Sequence, residues 1–91
     1  MGVRIGANVL LNIGCTIAHD SRIGSGSFLS PDVSIAGYVT IGERVFLGIG
    51  SVVIDNVTIA DDARTGGGAV ITSDIRTPGL YVGIPARLKG Q

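Results

Sequence analysis

Branched aliphatic residues recur at every sixth position of the 91-residue chain, from the fifth residue to the seventy-first. The series runs Ile5, Leu11, Ile17, Ile23, Leu29, Ile35, Ile41, Leu47, Val53, Ile59, Thr65 and Ile71, with Thr65 as its one exception. Neither the period of an α-helix nor that of a plain strand keeps such a series on one side. An uninterrupted short repeat is typical of a solenoid, in which each turn is buried by its neighbours.

A second periodicity divides each hexad into a strand and a corner. Small or β-branched residues lie four positions after each aliphatic residue, so that triplets such as 15–17 alternate as a strand does. The residue directly after the aliphatic one is often Gly or Ala, and we expect glycine there to supply the positive φ of a corner. Three strands and three corners then close a triangular coil of eighteen residues, and twelve hexads give four coils. The prism is about 19 Å tall if stacked strands are about 4.8 Å apart.

The predicted fold is therefore an all-β parallel helix over residues 1–76, followed by a C-terminal tail or cap over residues 77–91. Fifteen glycines, three prolines and 45% hydrophobic residues fit one ordered β-solenoid domain rather than a disordered linker.

The net charge and the composition of the chain limit the kinds of partner and the cell compartment that we expect for it. Seven basic and seven acidic residues cancel, which argues against a nucleic-acid partner. No apolar run approaches the roughly 20 residues of a membrane span, and no secretory leader is recognisable. The single Cys15 excludes an internal disulfide and suits a reducing compartment, so we expect a cytoplasmic protein.

Several longer motifs add a family resemblance that covers nearly the whole chain. They are residues 12–20, 23–24, 29–31, 35–37, 39–42, 47–53 and 83–87. With these motifs the chain resembles the hexapeptide-repeat proteins, whose parallel β-helix is left-handed. More narrowly, it is similar to the sugar O- and N-acetyltransferases of the sialic acid and bacillosamine type.

The candidate catalytic centre is His19, the only histidine. Acyl transfer from a thioester needs a base that is effective near neutral pH, and imidazole is such a base. Asp20 is placed to orient the ring, and the resemblance implies these same roles for both residues. A step of eighteen residues puts Gly37 one coil above His19, where its backbone N–H can face the developing oxyanion. The alternatives are an exposed corner histidine and a corner glycine needed only for its φ.

The cofactor prediction comes mainly from the resemblance, which implies acetyl-CoA as the acetyl donor and contacts at Phe28, Ile49 and Gly67. Ile49 and Gly67 are eighteen residues apart and so share one corner. Phe28 departs from the family, in which a histidine can occupy that position. Arg87, in the tail, can approach the CoA phosphates, although a solvated C-terminus explains it equally well.

No metal is expected. A γ-class carbonic anhydrase with the same helix needs about three histidine ligands, and this chain has one histidine.

Outward-facing strand positions predict an assembly. One face carries Leu10, Phe28, Phe46 and Arg64, a second carries Thr16, Ser34, Val52 and Val70, and a third carries Arg22, Thr40, Thr58 and Arg76. The first two faces expose aromatic and valine side chains that another chain can bury. Closed cyclic symmetry does so economically. The resemblance implies a homotrimer with its active site between neighbouring prisms.

The resembled enzymes carry an N-terminal α/β domain that holds a nucleotide sugar, whereas this chain begins directly in the repeats. We therefore expect a fragment or a stand-alone prism, and a separate acceptor-binding domain is a candidate partner. The leading hypothesis is an acetyl-CoA-dependent acetyltransferase acting on an amine or hydroxyl of a sugar or nucleotide sugar. The alternative is a non-catalytic trimeric scaffold or acyl-CoA-binding module that has lost its acceptor domain.

Overall fold

The computed structural model describes residues 2–90, which form fourteen short strands in three sheets. The first sheet contains β1 (Arg4–Ile5), β4 (Arg22–Ile23), β7 (Thr40–Ile41) and β10 (Thr58–Ile59). The second contains β2 (Leu10–Leu11), β5 (Phe28–Leu29), β8 (Phe46–Leu47), β11 (Ala63–Thr65), β13 (Gly79–Val82) and β14 (Arg87–Gly90). The third contains β3 (Thr16–Ile17), β6 (Ser34–Ile35), β9 (Val52–Val53) and β12 (Val70–Ile71).

The eighteen-residue register predicted from the sequence is confirmed up to β12. Ile5 pairs with Ile23, Leu11 with Leu29 and Ile17 with Ile35, always in parallel. Successive strands along the chain belong to different sheets, so the backbone winds around a closed triangular core. The fold is the expected left-handed parallel β-helix of about four turns.

The aliphatic series forms the core of the prism. Leu29, Leu47 and Val53 are fully buried, and the β-branched residues of the second series, such as Val33, fill the space between them. In the first coil Ile5 remains 46% exposed, because only one side of that coil is covered by described residues. Stacking of neighbouring coils therefore supplies most of the apolar burial.

Thr65, the one exception in the series, is buried to 1% and its hydroxyl is bonded. Thr65 Oγ1 accepts the Gly48 N–H at 3.0 Å and lies 2.8 Å from Ser51 Oγ. A buried hydroxyl is tolerated only when it is hydrogen-bonded. The break in the aliphatic pattern is thus one half of a polar pair between two coils.

The corners differ from the prediction in which residue adopts a positive φ. It is the third residue after the aliphatic one, and the non-glycine residues there are Asn8, Asp20, Asp32, Tyr38, Arg44, Asn56 and Asp62, with φ between 54° and 63°. The glycines directly after the aliphatic residue, such as Gly48, do not have a positive φ. They are small because a Cβ on Gly48 would lie 2.6 Å from the Thr65 carbonyl oxygen of the next coil.

The last coil is two residues shorter than the others. Ile59 pairs with Ile75, sixteen residues on, so Arg76 does not stack over Thr58 as the eighteen-residue step predicted. β13 keeps the shorter offset and pairs with β11, so that the second sheet continues beyond residue 76. β14 then folds back antiparallel onto β13, and Tyr81 of β13 is 9% exposed.

Residues 2–90 contain no helix that is long and apolar enough to cross a lipid bilayer.

Candidate active site

His19 lies at the corner between the third and first sheets, just after β3, and its side chain is exposed. Its ring meets Tyr38 edge to face, with 5.2 Å between the ring centroids and 89° between the planes. The Tyr38 N–H donates to the His19 carbonyl oxygen at 3.1 Å, which fixes the two corners against each other. The imidazole is therefore supported by the next coil while it stays accessible to a ligand.

The His19 ring packs against Gly37. A Cβ on Gly37 would lie 2.8 Å from His19 Nε2 and 2.9 Å from Cε1, which is closer than side-chain atoms approach each other. Gly37 is buried, and its φ is not positive, so the alternative of a corner glycine needed for its φ is wrong. The residue at this corner with positive φ is Tyr38, at 58°. A larger residue here would displace the imidazole, which packs against Gly37.

The Gly37 N–H lacks the acceptor that two other corners of this kind supply. At the equivalent corner position Ala7 donates its N–H to Ser25 Oγ at 3.1 Å, and Glu43 donates to Asp61 Oδ1 at 2.8 Å. The residue eighteen positions after Gly37 is Asp55, whose carboxylate accepts from Asn56 Nδ2 at 3.1 Å instead. Within residues 2–90 the Gly37 N–H has no acceptor. An oxygen atom of a bound molecule can take that place.

Asp20 is next to His19 in sequence but points elsewhere in the structure. Its φ is 59°, and its carboxylate lies against Gly2, one coil below, where a Cβ would overlap it. Among the described residues no hydrogen bond or ion pair joins Asp20 to His19. The structure brings His19 together with Gly37 and leaves Asp20 beside them but not in contact with the ring.

Tyr38 is a neighbour of the candidate base that the sequence did not indicate. Its signal was its position nineteen residues after His19, one step beyond the eighteen-residue stack, and it is an aromatic residue at a corner that favours Gly or Asn. The side chain is 57% exposed and forms one wall beside the imidazole.

The residues assigned to acetyl-CoA lie at another corner. Ile49 and Gly67 stack as predicted, with 3.2 Å between Ile49 Cγ2 and a Cβ built on Gly67. Phe28 projects from the adjoining second sheet and stacks on Phe46, with 5.2 Å between the ring centroids. Arg87 is exposed at the start of β14. Ile49 and Gly67 therefore share the corner between the second and third sheets, whereas Phe28 and Arg87 belong to strands of the second sheet.

The imidazole and the cofactor candidates are at opposite edges of the third sheet. Asp55, of the His19 corner, follows Ile49 by six residues, which corresponds to a chain length of about 20 Å. One prism therefore presents the two halves of the predicted site on two different edges.

A cavity of about 520 Å³ opens higher on the His19 corner. It is lined by Asp55, Asn56, Val57, Thr72, Ser73, Asp74 and Arg76. The shortened last coil leaves this space, because its chain passes from β12 to Ile75 with two residues fewer than the coil below. Within residues 2–90 no three His, Cys, Asp or Glu side chains are grouped as metal ligands.

Comparison with known proteins settles the family. The model for bacterial transferase hexapeptide proteins, which has six repeats, matches residues 2–37 and again 38–73. The chain belongs to this hexapeptide-repeat transferase family. The two matches together cover the coils that carry His19, Gly37, Ile49 and Gly67.

The relatives of this hexapeptide-repeat chain are acyltransferases. It is 35% identical over 86 residues to an acyl-[acyl-carrier-protein]–UDP-N-acetylglucosamine O-acyltransferase of Sinorhizobium fredii, covering 94% of the chain and 32% of that protein. A variant of perosamine N-acetyltransferase from Caulobacter crescentus, solved with CoA and GDP-perosamine, has a TM-score of 0.82 and 35% identity. The match covers 99% of this chain and 51% of that one.

The acetyltransferase domain of PglB from Neisseria gonorrhoeae, solved with acetyl coenzyme A, has a TM-score of 0.87 and 26% identity. That match covers 97% of this chain and 46% of the other. The chain thus spans about half the length of these structures, or less.

Proposed function

We propose that this chain is an acetyltransferase that moves the acetyl group of acetyl-CoA to an amine or hydroxyl of a sugar or nucleotide sugar. The observation that carries the proposal is the contact of the His19 ring with Gly37, whose N–H has no acceptor among residues 2–90. A base and an oxyanion donor are the two groups that direct acyl transfer requires.

In the proposed reaction His19 Nε2 takes a proton from the acceptor amine or hydroxyl while that group attacks the thioester carbonyl carbon. The carbonyl oxygen becomes an oxyanion, which accepts a hydrogen bond from the Gly37 N–H. Collapse of this intermediate breaks the C–S bond, and the CoA thiolate takes the proton from the imidazolium. No covalent enzyme intermediate is needed. We include Asp20 as the acid that orients the ring once its side chain turns from Gly2 towards His19.

We propose that acetyl-CoA lies along the edge between the second and third sheets, in contact with Phe28, Ile49, Gly67 and Arg87. Support comes from the two neighbours that were solved with CoA or acetyl coenzyme A. Ile49 and Gly67 also stack along one corner, as an extended pantetheine chain requires. Ile49 is 57% exposed and Phe46, beside Phe28, is 40% exposed, so apolar surface is available there.

We propose that the working unit is a homotrimer with its site between neighbouring prisms. Two observations support this. Outward-facing apolar residues occupy two adjoining faces: Leu10 and Phe46 are 50% and 40% exposed on the second sheet, and Val52 and Val70 are half-buried on the third. The base and the cofactor candidates lie on different edges of one prism, so a second copy is the economical means to bring them together.

The proposed acceptor is sugar-like because the relatives act on such molecules by name: UDP-N-acetylglucosamine in one and perosamine in another. This chain spans about half of the perosamine enzyme's length. A separate acceptor-binding domain therefore remains part of the proposal as a partner.

One observation favours a second candidate, a non-catalytic trimeric scaffold or acyl-CoA-binding module. The Asp20 carboxylate is turned towards Gly2, so the imidazole lacks the carboxylate contact that the resemblance implied. Such a module would bind acetyl-CoA without transferring its acetyl group.

Calorimetry of acetyl-CoA binding, followed by turnover on a panel of amino sugars and their nucleotide derivatives, separates the two candidates. We expect His19→Ala to bind acetyl-CoA nearly as well as wild type and to lose about 100-fold or more in kcat, the usual contribution of a general base. Absence of acetyl-CoA binding by wild type would contradict the acetyltransferase and the acyl-CoA-binding module and would leave only the scaffold. Binding without turnover on any acceptor would favour the module.

A further inference from the structure

Two arginines stack on the outer surface of the first sheet. Arg4 of β1 and Arg22 of β4 are register partners, and both are exposed. Paired strands are about 4.8 Å apart, so two guanidinium groups project side by side from one face. Like charges directly opposite each other destabilise a sheet. An arrangement that costs stability without an obvious structural return calls for a ligand of opposite charge.

No carboxylate neutralises this pair within residues 2–90. The ion pairs there involve Arg44 with Glu43, Arg44 with Asp62, and Arg76 with Asp74. Asp20, two residues before Arg22, is the nearest acid in sequence, but its carboxylate lies against Gly2. The chain has no net charge, so the unpaired arginines do not reflect a generally basic surface.

Arg44 differs from Arg4 and Arg22 because it is paired with a carboxylate of its own chain. It lies at the other edge of the first sheet and donates two hydrogen bonds to Asp62, at 2.8 and 3.1 Å. These hydrogen bonds, with the positive charge, lower the pKa of the Asp62 carboxyl. Arg4 and Arg22 lie on the same sheet and lack any such acid.

The pair is next to the proposed base. Arg22 follows His19 by three residues, so its strand leaves the His19 corner directly and is about 10 Å of chain from it. Thr40 and Thr58 continue the same outward row above Arg22 and carry hydroxyl groups. Tyr38, on the next coil of that corner, is 57% exposed and contacts the imidazole edge to face.

We propose that Arg4 and Arg22 bind the diphosphate of a nucleoside diphosphate sugar whose acceptor amine or hydroxyl lies at His19. Guanidinium groups bind phosphate oxygens in a bidentate manner, and two of them on strands about 4.8 Å apart can reach two linked phosphates. A sugar ring between the diphosphate and the acceptor group bridges the distance from Arg22 to the imidazole. This inference rests on the proposed acetyltransferase function and puts a phosphate subsite on the prism itself.

The first test is calorimetry of the full chain with inorganic pyrophosphate and with uridine diphosphate. We expect Arg4→Gln and Arg22→Gln each to weaken binding about tenfold, as for loss of one charge-assisted contact, and the affinity of wild type to fall with added salt. Arg44→Gln is the control, because it removes the same charge from the corner that follows β7, at the other edge of the first sheet. The proposal is overturned if wild type binds neither probe, or if Arg44→Gln weakens binding as much as the other two.

Steady-state kinetics then identify the source of the phosphate. Arg22→Gln is expected to raise the KM for a nucleoside diphosphate amino sugar about tenfold and to leave kcat and the KM for acetyl-CoA nearly unchanged. A rise in the KM for acetyl-CoA instead would assign the arginines to the cofactor phosphates and overturn the inference. If wild type binds pyrophosphate through these arginines but acetylates no acceptor, the proposed function fails while the anion site stands.

Discussion

At the scale of single residues, the glycines have three different uses that look alike in the sequence. Gly50 supplies a positive φ, Gly48 allows a close approach of the next coil, and Gly37 accepts the ring of His19. Periodicity predicted that Gly37 lies one coil above His19. It did not indicate that the imidazole packs on the Cα of Gly37, because the rotamer of an exposed histidine is not encoded in a repeat.

This contact leads to a prediction for Gly37→Ala. The new Cβ would meet the His19 ring at 2.8–3.3 Å. The ring is on the surface and can swing away, so we expect the melting temperature to change by only a few degrees while kcat falls about tenfold or more, because the base is displaced from the acceptor. The measurements are thermal unfolding and kcat on one acceptor.

Gly90→Ala is the control, because a Cβ there meets no atom within 4 Å and its φ is not positive. Equal activity of the Gly37→Ala variant and wild type would show that the position of the ring on Gly37 has no bearing on the base.

At the scale of strands and coils, the sequence predicts the fold almost completely, because every coil repeats the same burial requirement. The register from β1 to β12 follows from counting eighteen residues. The eighteen-residue spacing ends after Ile71, because the last coil is two residues shorter. There Asp74 Oδ1, rather than the carbonyl oxygen of a strand residue, accepts a hydrogen bond from the Thr58 N–H. A carboxylate that substitutes for backbone has no periodic signal.

The buried polar pair of Thr65 and Ser51 gives the second prediction. Thr65→Val restores the aliphatic repeat, yet we expect it to lower the free energy of unfolding by about 1–2 kcal/mol. It removes one of the two acceptors of the Gly48 N–H and one of the two partners of Ser51 Oγ. The Gly48 N–H keeps its bond to the Thr65 carbonyl at 3.1 Å and Ser51 Oγ keeps the Gly66 carbonyl at 3.2 Å, so the loss is partial.

Urea unfolding at one protomer concentration measures this effect, since assembly adds to apparent stability. The variant that combines Ser51→Ala with Thr65→Val completes a double-mutant cycle and is expected to be less destabilised than the sum of the two single changes. A Thr65→Val protein that is more stable than wild type would mean that apolar burial outweighs the hydroxyl pair.

At the scale of the whole molecule, the candidate site is divided between two edges of the prism. A single prism therefore does not bring the candidate base and the cofactor candidates together. The sequence predicted candidate residues for both halves, and the stacks of His19 with Gly37 and of Ile49 with Gly67 follow from eighteen-residue steps. It did not predict the orientation of the Asp20 carboxylate, because adjacency in sequence does not determine on which side of a corner a side chain lies. Here it takes the side of Gly2.

Division of the site predicts complementation between two inactive variants. His19→Ala keeps an intact cofactor edge, and Ile49→Glu keeps an intact base; Ile49 is 57% exposed, so the charged side chain should not disturb folding. In a cyclic trimer each site takes its base from one copy and its cofactor edge from the next. A mixed trimer of the two variants therefore contains one complete site out of three.

Each variant alone is expected to be nearly inactive, and an equal mixture, co-refolded or co-expressed, is expected to regain about a quarter of the wild-type rate, since about three-quarters of random trimers are mixed. Light scattering should give three times the 9.3 kDa chain mass for both variants and for the mixture. If base and cofactor came from one chain, mixed trimers would contain no complete site and mixing would restore nothing. Recovery in the mixture would instead require that the imidazole of one prism reaches the acetyl group held by its neighbour.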